Sequence, residues 1–300
     1  MMDAERRIPL VDLHAQYVRI KPELDEAIAE VIATSSFVRG PHVEAFEASF
    51  AAVTQRQHCV SCGNGTDALY IAMMALGLKP GDEVIVPAMS WISSSETVTQ
   101  AGGKVVFADI DTETHCINPL DIEDKITDRT VGIIPVHLYG HPAPMDKIMK
   151  IADHAGLWVL EDCAQAHLAS LNGQSIGSFG IAATFSFYPG KNLGAMGDAG
   201  AIVTNDETLA NHMARFARHG GLQKHEHVIQ GINSRLDGIQ AAILNVKLRH
   251  LSDWTQKRQY LAARYTTGLS KLPGLRCPSV GKGLLTFGIF MLFRSKRANG

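Results

Sequence analysis

Thr184-Phe185-Ser186-Phe187-Tyr188-Pro189-Gly190-Lys191-Asn192-Leu193-Gly194 is the stretch on which the fold turns. Its first half is apolar and aromatic and reads as a short strand; Pro189-Gly190 ends the strand in a turn that presents Lys191. Upstream, Glu161-Asp162-Cys163-Ala164-Gln165-Ala166 closes a second apolar run. A lysine in a Gly/Pro-rich turn after a strand, with an acid ending an earlier strand, suits a pyridoxal phosphate enzyme. Lys191 would carry the cofactor as a Schiff base, and Asp162 would keep its pyridinium nitrogen protonated so that the ring accepts electrons.

Working outward, strand-like runs lie at 58–61, 83–86, 104–108, 131–136, 158–161, 184–187 and 201–204. Helix-like runs at 66–76, 92–101, 119–126 and 145–154 separate several of them. Polar amphipathic helices open the chain at 21–34 and 43–53, and helices return at 206–218 and 234–268. Short apolar strands alternating with helices predict an α/β fold: a mostly parallel sheet of about seven strands, covered on both faces.

Several residues sit where such sheets bind ligands, outside the carboxyl ends of strands. Gly63-Asn64-Gly65-Thr66-Asp67-Ala68 follows a strand and opens a helix, so its backbone N–H groups would attract a phosphate. The same string matches G-x-G-x-x-A, a dinucleotide fingerprint, which would make the chain a nicotinamide-dependent oxidoreductase. That reading needs an acid at the end of the next strand, and here Asp82 and Glu83 precede it. A plain helix cap is the third possibility. Trp91 is either core or a flat surface for stacking on a pyridine ring. Asp162 is either the pyridinium partner or an ordinary acid capping the next turn. Gln165 could reach the cofactor's phenolic oxygen, and the Ser186 hydroxyl could reach a phosphate. Lys191 by itself would read as a solvated lysine; its surroundings overturn that. Asn233 or Ser234, ahead of the last long helix, reads as an N-cap.

Apolar residues make up 46% of the 300 residues and charged ones 19%, which supports a sizeable buried core. The formal net charge of −2 offers no basic field for nucleic acid. The opening MMDAERRIPL has no apolar run of a signal peptide, and no segment predicts a membrane span. The cysteines at 59, 62, 116, 163 and 277 are odd in number and scattered, as expected for reduced thiols in a cytoplasm. Cys59-x-x-Cys62 lacks a second ligand pair, so packing thiols and no metal are expected.

In order along the chain, Gly40-Pro41 with Phe46-Glu47, Gly65-Thr66-Asp67-Ala68-Leu69, Glu161-Asp162-Cys163-Ala164-Gln165, the Lys191 segment with Gly197-Asp198-Ala199-Gly200, and Asn233-Ser234-Arg235-Leu236-Asp237-Gly238 together resemble the sugar aminotransferases of the DegT/DnrJ/EryC1/StrS family. The resemblance implies the fold-type I architecture of pyridoxal phosphate enzymes and a homodimer with sites at the subunit interface. It implies Lys191 as catalytic lysine and proton carrier. Asp162 pairs with the pyridinium, Gln165 with the ring oxygen and Trp91 with the ring face. Gly65, Thr66 and Ser186 bind phosphate, Tyr188 meets the substrate, and Asn233 reaches the phosphate of the neighbouring subunit's cofactor. Lysine at this position, where some relatives carry histidine, implies transamination of a nucleotide-linked keto-deoxysugar with glutamate as donor. The form of the Lys191 segment points to 3-keto sugars.

The same resemblance divides the chain into a large domain at 1–245 and the start of a small C-terminal domain at 246–300, whose tail from 281 is atypical. Relatives carry a segment like His-Val-Trp-His-Leu-Tyr-Val there, and this chain reads Leu285-Thr286-Phe287-Gly288-Ile289-Phe290-Met291-Leu292-Phe293. Synonymous codons for that run encode His-Val-Trp-His-Leu-Tyr-Val-Val in a second frame. The expectation is a frameshift between about 278 and 285, an incomplete small domain, an exposed apolar face on the helix at 254–268, and a chain whose sugar transamination is impaired.

Overall fold

The structure is a computed structural model and describes Pro9, residues 11–277, 284–285 and 294–295. Three helices open it: α1 (Leu13–Arg19), α2 (Lys21–Thr34) and α3 (Pro41–Val53). Asp12 starts α1 by accepting the Ala15 N–H at 2.8 Å, and α2 and α3 carry proline in their first turn, where no N–H is needed. The chain then alternates: β1 (His58–Cys62), α4 (Gly65–Ala75), β2 (Glu83–Pro87), α5 (Ser93–Gln100), β3 (Lys104–Ala108), α6 (Pro119–Lys125), β4 (Thr130–Ile133), α7 (Met145–Ala155) and β5 (Trp158–Asp162). A hairpin follows, β6 (Ser170–Leu171) and β7 (Gln174–Ser175), then β8 (Ala182–Ser186), β9 (Gly200–Thr204), α8 (Glu207–Ala217) and α9 (Gly238–Leu269).

The seven expected strands form one sheet in the order β1-β9-β8-β5-β4-β2-β3. β9 runs antiparallel to both its neighbours, and every other pairing is parallel. Apolar clusters cover both faces. On one, Phe46 and Phe50 of α3 meet Phe185 and Phe187, with edge-on ring contacts at 4.9–5.2 Å. Each fully buried ring contributes roughly 1.5–3 kcal/mol by leaving water. On the other, α4, α5 and α8 pack through Ile71, Met73, Val98 and Met213. Strand alternation thus turns Phe185 and Phe187 to one side and leaves Ser186 facing α4. It also sends Cys59 and Cys62 into opposite clusters, so the Cys-x-x-Cys spacing joins nothing. Burial raises both thiols above their ordinary pKa.

Helix α1 and the β6–β7 hairpin are among the elements that lie outside the sequence reading. Helix α1 is too short to show periodicity. The β6–β7 hairpin turns on Asn172-Gly173, both left-handed at φ 52° and 83°, the pair that a two-residue turn of this kind favours. The last helix starts at Gly238, not at 234, so neither Asn233 nor Ser234 caps it. Residues 233–237 are extended instead: Asn233 bridges Arg218 and Asp237 bridges Val38. Gly238 then passes so close to the Ser36 carbonyl that a Cβ would lie 1.9 Å from it.

Helix α9 is continuous for 32 residues. Its first half packs into the core, and Tyr260, Leu261 and Tyr265 of its second half are exposed. Beyond it, β10 (Leu275–Arg276) pairs with β12 (Arg294–Ser295), and β11 (Leu284–Leu285) pairs with β6. The rest of the expected atypical tail lies outside the described residues. Among the described residues, no helix is long and apolar enough to cross a membrane.

One buried charge ties the middle of the sheet together. Glu161 of β5 has no exposed surface. Its carboxylate accepts the N–H groups of Phe179, Gly180 and Gly177 at 2.8–2.9 Å and lies 3.2 Å from His137 Nε2. His137 Nδ1 accepts the Ala143 N–H, so Nε2 carries the proton and donates to Glu161. Arg56 stands 3.9 Å away and donates to the Gly177 and Gly180 carbonyls. Burial pushes the Glu161 carboxyl up, and the hydrogen bonds from His137, Gly180 and Gly177 outweigh it and leave it below the ordinary range. Glu83, at the opposite end of the sheet, is pulled down to about 2 by Thr127, Lys104 and Arg129. A carboxyl held low when folded stabilises the protein above its unfolded pKa, and that stability disappears as pH falls toward the folded value. The Glu161→Gln protein is therefore expected to lose about 3–5 kcal/mol in urea denaturation at neutral pH. Its stability, and that of Glu83→Gln, is expected to fall less steeply than the parent's below the ordinary glutamate range. An unchanged midpoint for Glu161→Gln rules out the buried charge as a keystone.

Candidate active site

The site forms where three strand ends meet. β1 and β8 end at Cys62 and Ser186, and β9 begins between them, with Gly200 in register with both. The loop from Gly63 to Thr66 crosses over this point. A Cβ on Gly200 would lie 2.3 Å from the Asn64 carbonyl, and one on Gly65 would lie 2.7 Å from Ser186 Cβ. Only glycine permits either approach. Asn64 caps α4 by accepting the Asp67 N–H at 2.8 Å. Among the described residues the N–H groups of Gly65 and Thr66 have no acceptor. They sit at the positive end of α4, beside the Ser186 hydroxyl and the Thr66 hydroxyl, which lies 2.7 Å from that of Ser93. Free amides at a helix start, flanked by two hydroxyls, make a cradle that could hold an anion such as phosphate. The acid that a dinucleotide would need is absent here: Glu83 stands at the start of β2, bound to Thr127, Lys104 and Arg129.

Asp162 ends β5 and is 6% exposed. One of its oxygens accepts the Ser94 hydroxyl at 2.9 Å and the other accepts the Ala164 N–H at 3.1 Å. Two neutral donors leave a buried carboxylate short of positive charge. The nearby cation is Lys191. Burial pushes its amine below the ordinary lysine value, and the Asp162 carboxylate pulls it back up. Among the described residues no hydrogen bond to its Nζ is formed. Gln165 Oε1 accepts the N–H of Tyr139 at 2.7 Å, where the backbone is left-handed at φ 55°. That bond settles the amide's orientation and leaves Nε2 as a donor.

Trp91 and Tyr188 point outward, 74% and 59% exposed. Trp91 is thus not core; its segment is held from beneath, where Ser90 and Ser94 share a hydrogen bond at 2.8 Å. Asn233 is exposed, and its neighbour Ser234 locks it beside the anion loop. The Ser234 hydroxyl donates to Asp67 at 2.6 Å and accepts the Gly63 N–H at 2.9 Å. Gly65, Thr66 and Ser186 therefore lie together, as do Asp162 and Lys191. The sequence reading misses Ser94, takes Ser234 only as a cap candidate, and misses Tyr139. A run of three serines after Trp91 is the available signal for the first; the other two depend on contacts far along the chain.

His137, Glu161 and Cys163 bring a nitrogen, an oxygen and a sulfur within 4.8 Å of one another. Both His137 nitrogens are committed, so this cluster belongs to the Glu161 lock and offers no metal ligand set.

The sequence from 18 to 292 matches the DegT/DnrJ/EryC1/StrS aminotransferase family. The dTDP-3-amino-3,4,6-trideoxy-alpha-D-glucose transaminase of Streptomyces venezuelae is 46% identical over 91% of this chain and 72% of its own length. The UDP-N-acetyl-3-dehydro-alpha-D-glucosamine 3-aminotransferase of Acidithiobacillus ferrooxidans is 43% identical over 94% of this chain and 76% of its own. The crystal structure of S. venezuelae DesV in complex with a ketimine intermediate superposes with a TM-score of 0.95, covering 97% of this chain and 79% of that one at 43% identity. The strand ends, the glycine-built cradle and these likenesses agree: the chain belongs to the DegT/DnrJ/EryC1/StrS aminotransferase family, with the fold of pyridoxal phosphate aminotransferases.

Proposed function

We propose that this chain transfers an amino group from glutamate to the keto carbon of a nucleotide-linked 3-keto-deoxysugar, in amino-sugar biosynthesis. The cofactor is pyridoxal 5′-phosphate. One observation carries the reading: an amine without a hydrogen bond among the described residues, Lys191, faces a buried, under-neutralised carboxylate, Asp162, beside the Gly65–Ser186 cradle. When bound, the cofactor supplies an electron sink for the bond changes at the amine carbon.

The chain's own residues supply the rest. The Gly65 and Thr66 amides, with the Thr66 and Ser186 hydroxyls, bind phosphate. Asp162 accepts the pyridinium N–H, which supplies the charge its two neutral donors leave wanting. Gln165 Nε2 donates to the phenolic oxygen. Trp91 covers the ring, a use that its exposed indole permits. Lys191 holds the cofactor and moves a proton at Nζ, and burial, which lowers its pKa from the ordinary lysine value, makes that proton easier to release. Tyr188 meets the sugar. Asn233 extends toward the cofactor phosphate of a second copy in a homodimer. Residues 1–245 form the large domain, and α9 carries the chain into a smaller one at 246–300. The free cysteines fit a cytoplasmic setting.

C3 is supported by the relatives' names, both of which describe sugars with an amino or keto group at that carbon. Borohydride reduction of the loaded protein is expected to fix the cofactor on Lys191, located by peptide mass spectrometry. Lys191→Ala should lose that adduct and about a hundred- to ten-thousand-fold in turnover. Glutamate should convert the spectrum alone, in a separable half-reaction, and a 3-keto sugar nucleotide should restore it. Adduct formation by Lys191→Ala, or turnover with simple keto acids only, overturns the proposal; binding without either half-reaction identifies an impaired protein.

A second expectation needs no cofactor. Removing the carboxylate in Asp162→Asn removes the group that raises the Lys191 pKa, so the amine should deprotonate at lower pH. The pH dependence of Lys191 acetylation, followed by mass spectrometry on cofactor-free protein, reads this directly. A midpoint that stays or rises contradicts the electrostatic pairing.

A further inference from the structure

The turn that carries Lys191 is gripped from behind by one helix. Gln240 Oε1 accepts the Met196 N–H at 2.8 Å. Lys247 Nζ donates to the Gly194 carbonyl at 2.6 Å. Asn192 Nδ2 donates to the Thr255 hydroxyl at 3.1 Å and also reaches the His167 carbonyl at 3.4 Å. Thr255 in turn donates to the Leu251 carbonyl at 2.8 Å. The three α9 residues are spaced about two helical turns apart, so they form one stripe on a single face. As the loop runs from 192 to 194 to 196, its partners run from 255 to 247 to 240. The segment therefore lies antiparallel along α9 and is held at every second residue.

Lys247 is the costly member. It is 3% exposed, and the Gly194 carbonyl is the one acceptor of its ammonium group among the described residues. Burial lowers its pKa to about 8. A methionine of similar length would fill the space without that penalty. The Lys191 amine is shifted by burial and by Asp162. What Lys247 does reach is the loop's backbone, at a glycine whose Cβ would lie 2.3 Å from the Pro189 carbonyl. The turn is thus closed internally by the Lys191 N–H donating to the Tyr188 carbonyl at 2.8 Å, and anchored externally by α9.

We infer that Gln240, Lys247 and Thr255 form a positioning stripe on α9 that sets the backbone at 192–196 and thereby the place of the Lys191 amine relative to Asp162. The inference rests on Lys191 being the cofactor-bearing lysine.

Lys247→Met in the full chain tests it by two readouts. The first is amide hydrogen exchange at 190–196 without cofactor. It should quicken about tenfold or more, the factor expected from losing one hydrogen bond to a charged donor. The second is the visible absorbance of the loaded protein against pH, whose midpoint should move by about half a unit or more. Leu251→Ala, a core truncation on the same helix, should lower the melting temperature and leave that midpoint in place. Parental exchange and midpoint in Lys247→Met overturn the inference, as does a midpoint that shifts equally in Leu251→Ala. If Lys247→Met does not fold, Gln240→Leu takes its place: faster exchange and a moved midpoint support the stripe, and parental values overturn it. Absence of a borohydride-fixed adduct on Lys191 in the parent rejects the functional reading instead, and the exchange result still decides whether α9 holds the loop.

Discussion

Glu161 places a full negative charge where water cannot reach it, and much of the structure is arranged around neutralising that charge. The three amides that bind it come from the turn at 177–180, which packs that turn onto the sheet next to β8. His137 binds it from the other side, and the second nitrogen of His137 closes the loop at 137–143 by accepting the Ala143 N–H. Inside that loop Tyr139 is forced left-handed, and its N–H meets Gln165. Asp162 follows Glu161 directly, so its backbone is held in the same lattice, by the Pro135 carbonyl and the His137 N–H. Asp162 and Gln165 thus inherit their positions from the hydrogen bonds that neutralise Glu161.

The anion cradle has a different origin. It depends on β9 entering antiparallel between β1 and β8, which levels Gly200 with Cys62 and Ser186. Two glycines then let a loop and two strands approach to distances that no side chain would permit. The cradle is therefore mostly backbone, set by the sheet and by the start of α4, with the Thr66 and Ser186 hydroxyls beside it. The lysine turn is held by α9 in the same way, through Gln240, Lys247 and Thr255. In both cases a loop is fixed by elements that have other reasons to be there.

Much of this is legible in the residues. Seven strands and their helices follow from apolar periodicity, because short buried strands between amphipathic helices leave few alternatives. Asp162, Lys191, Gly65, Thr66 and Ser186 can be singled out because strand ends and glycine turns announce themselves locally. Ser94 lies in a serine run that marks the place but does not say which hydroxyl matters, because its partner is a carboxylate 68 positions away. Ser234 reads as a cap, and the real commitment of its hydroxyl is to Asp67, 167 positions back. Trp91 taken alone reads as core and only the neighbouring motifs bring it out to a ligand; the packed structure places it in solvent.

The sequence by itself determined the strand and helix alternation, the turn that presents Lys191, the acid at the end of β5 and the family to which they belong. Each of these is written in local spacing, and local spacing is governed by backbone sterics and side-chain periodicity. The tertiary structure alone decided which face each strand turns to Ser186 or to the phenylalanines, and that Gln165 presents its donor. It alone decided that Cys59 and Cys62 part company and that α9 grips the lysine turn through Gln240, Lys247 and Thr255. Those outcomes depend on hydrogen bonds and burial between residues far apart in the chain, and a buried polar group finds its partner only when the fold has closed around it.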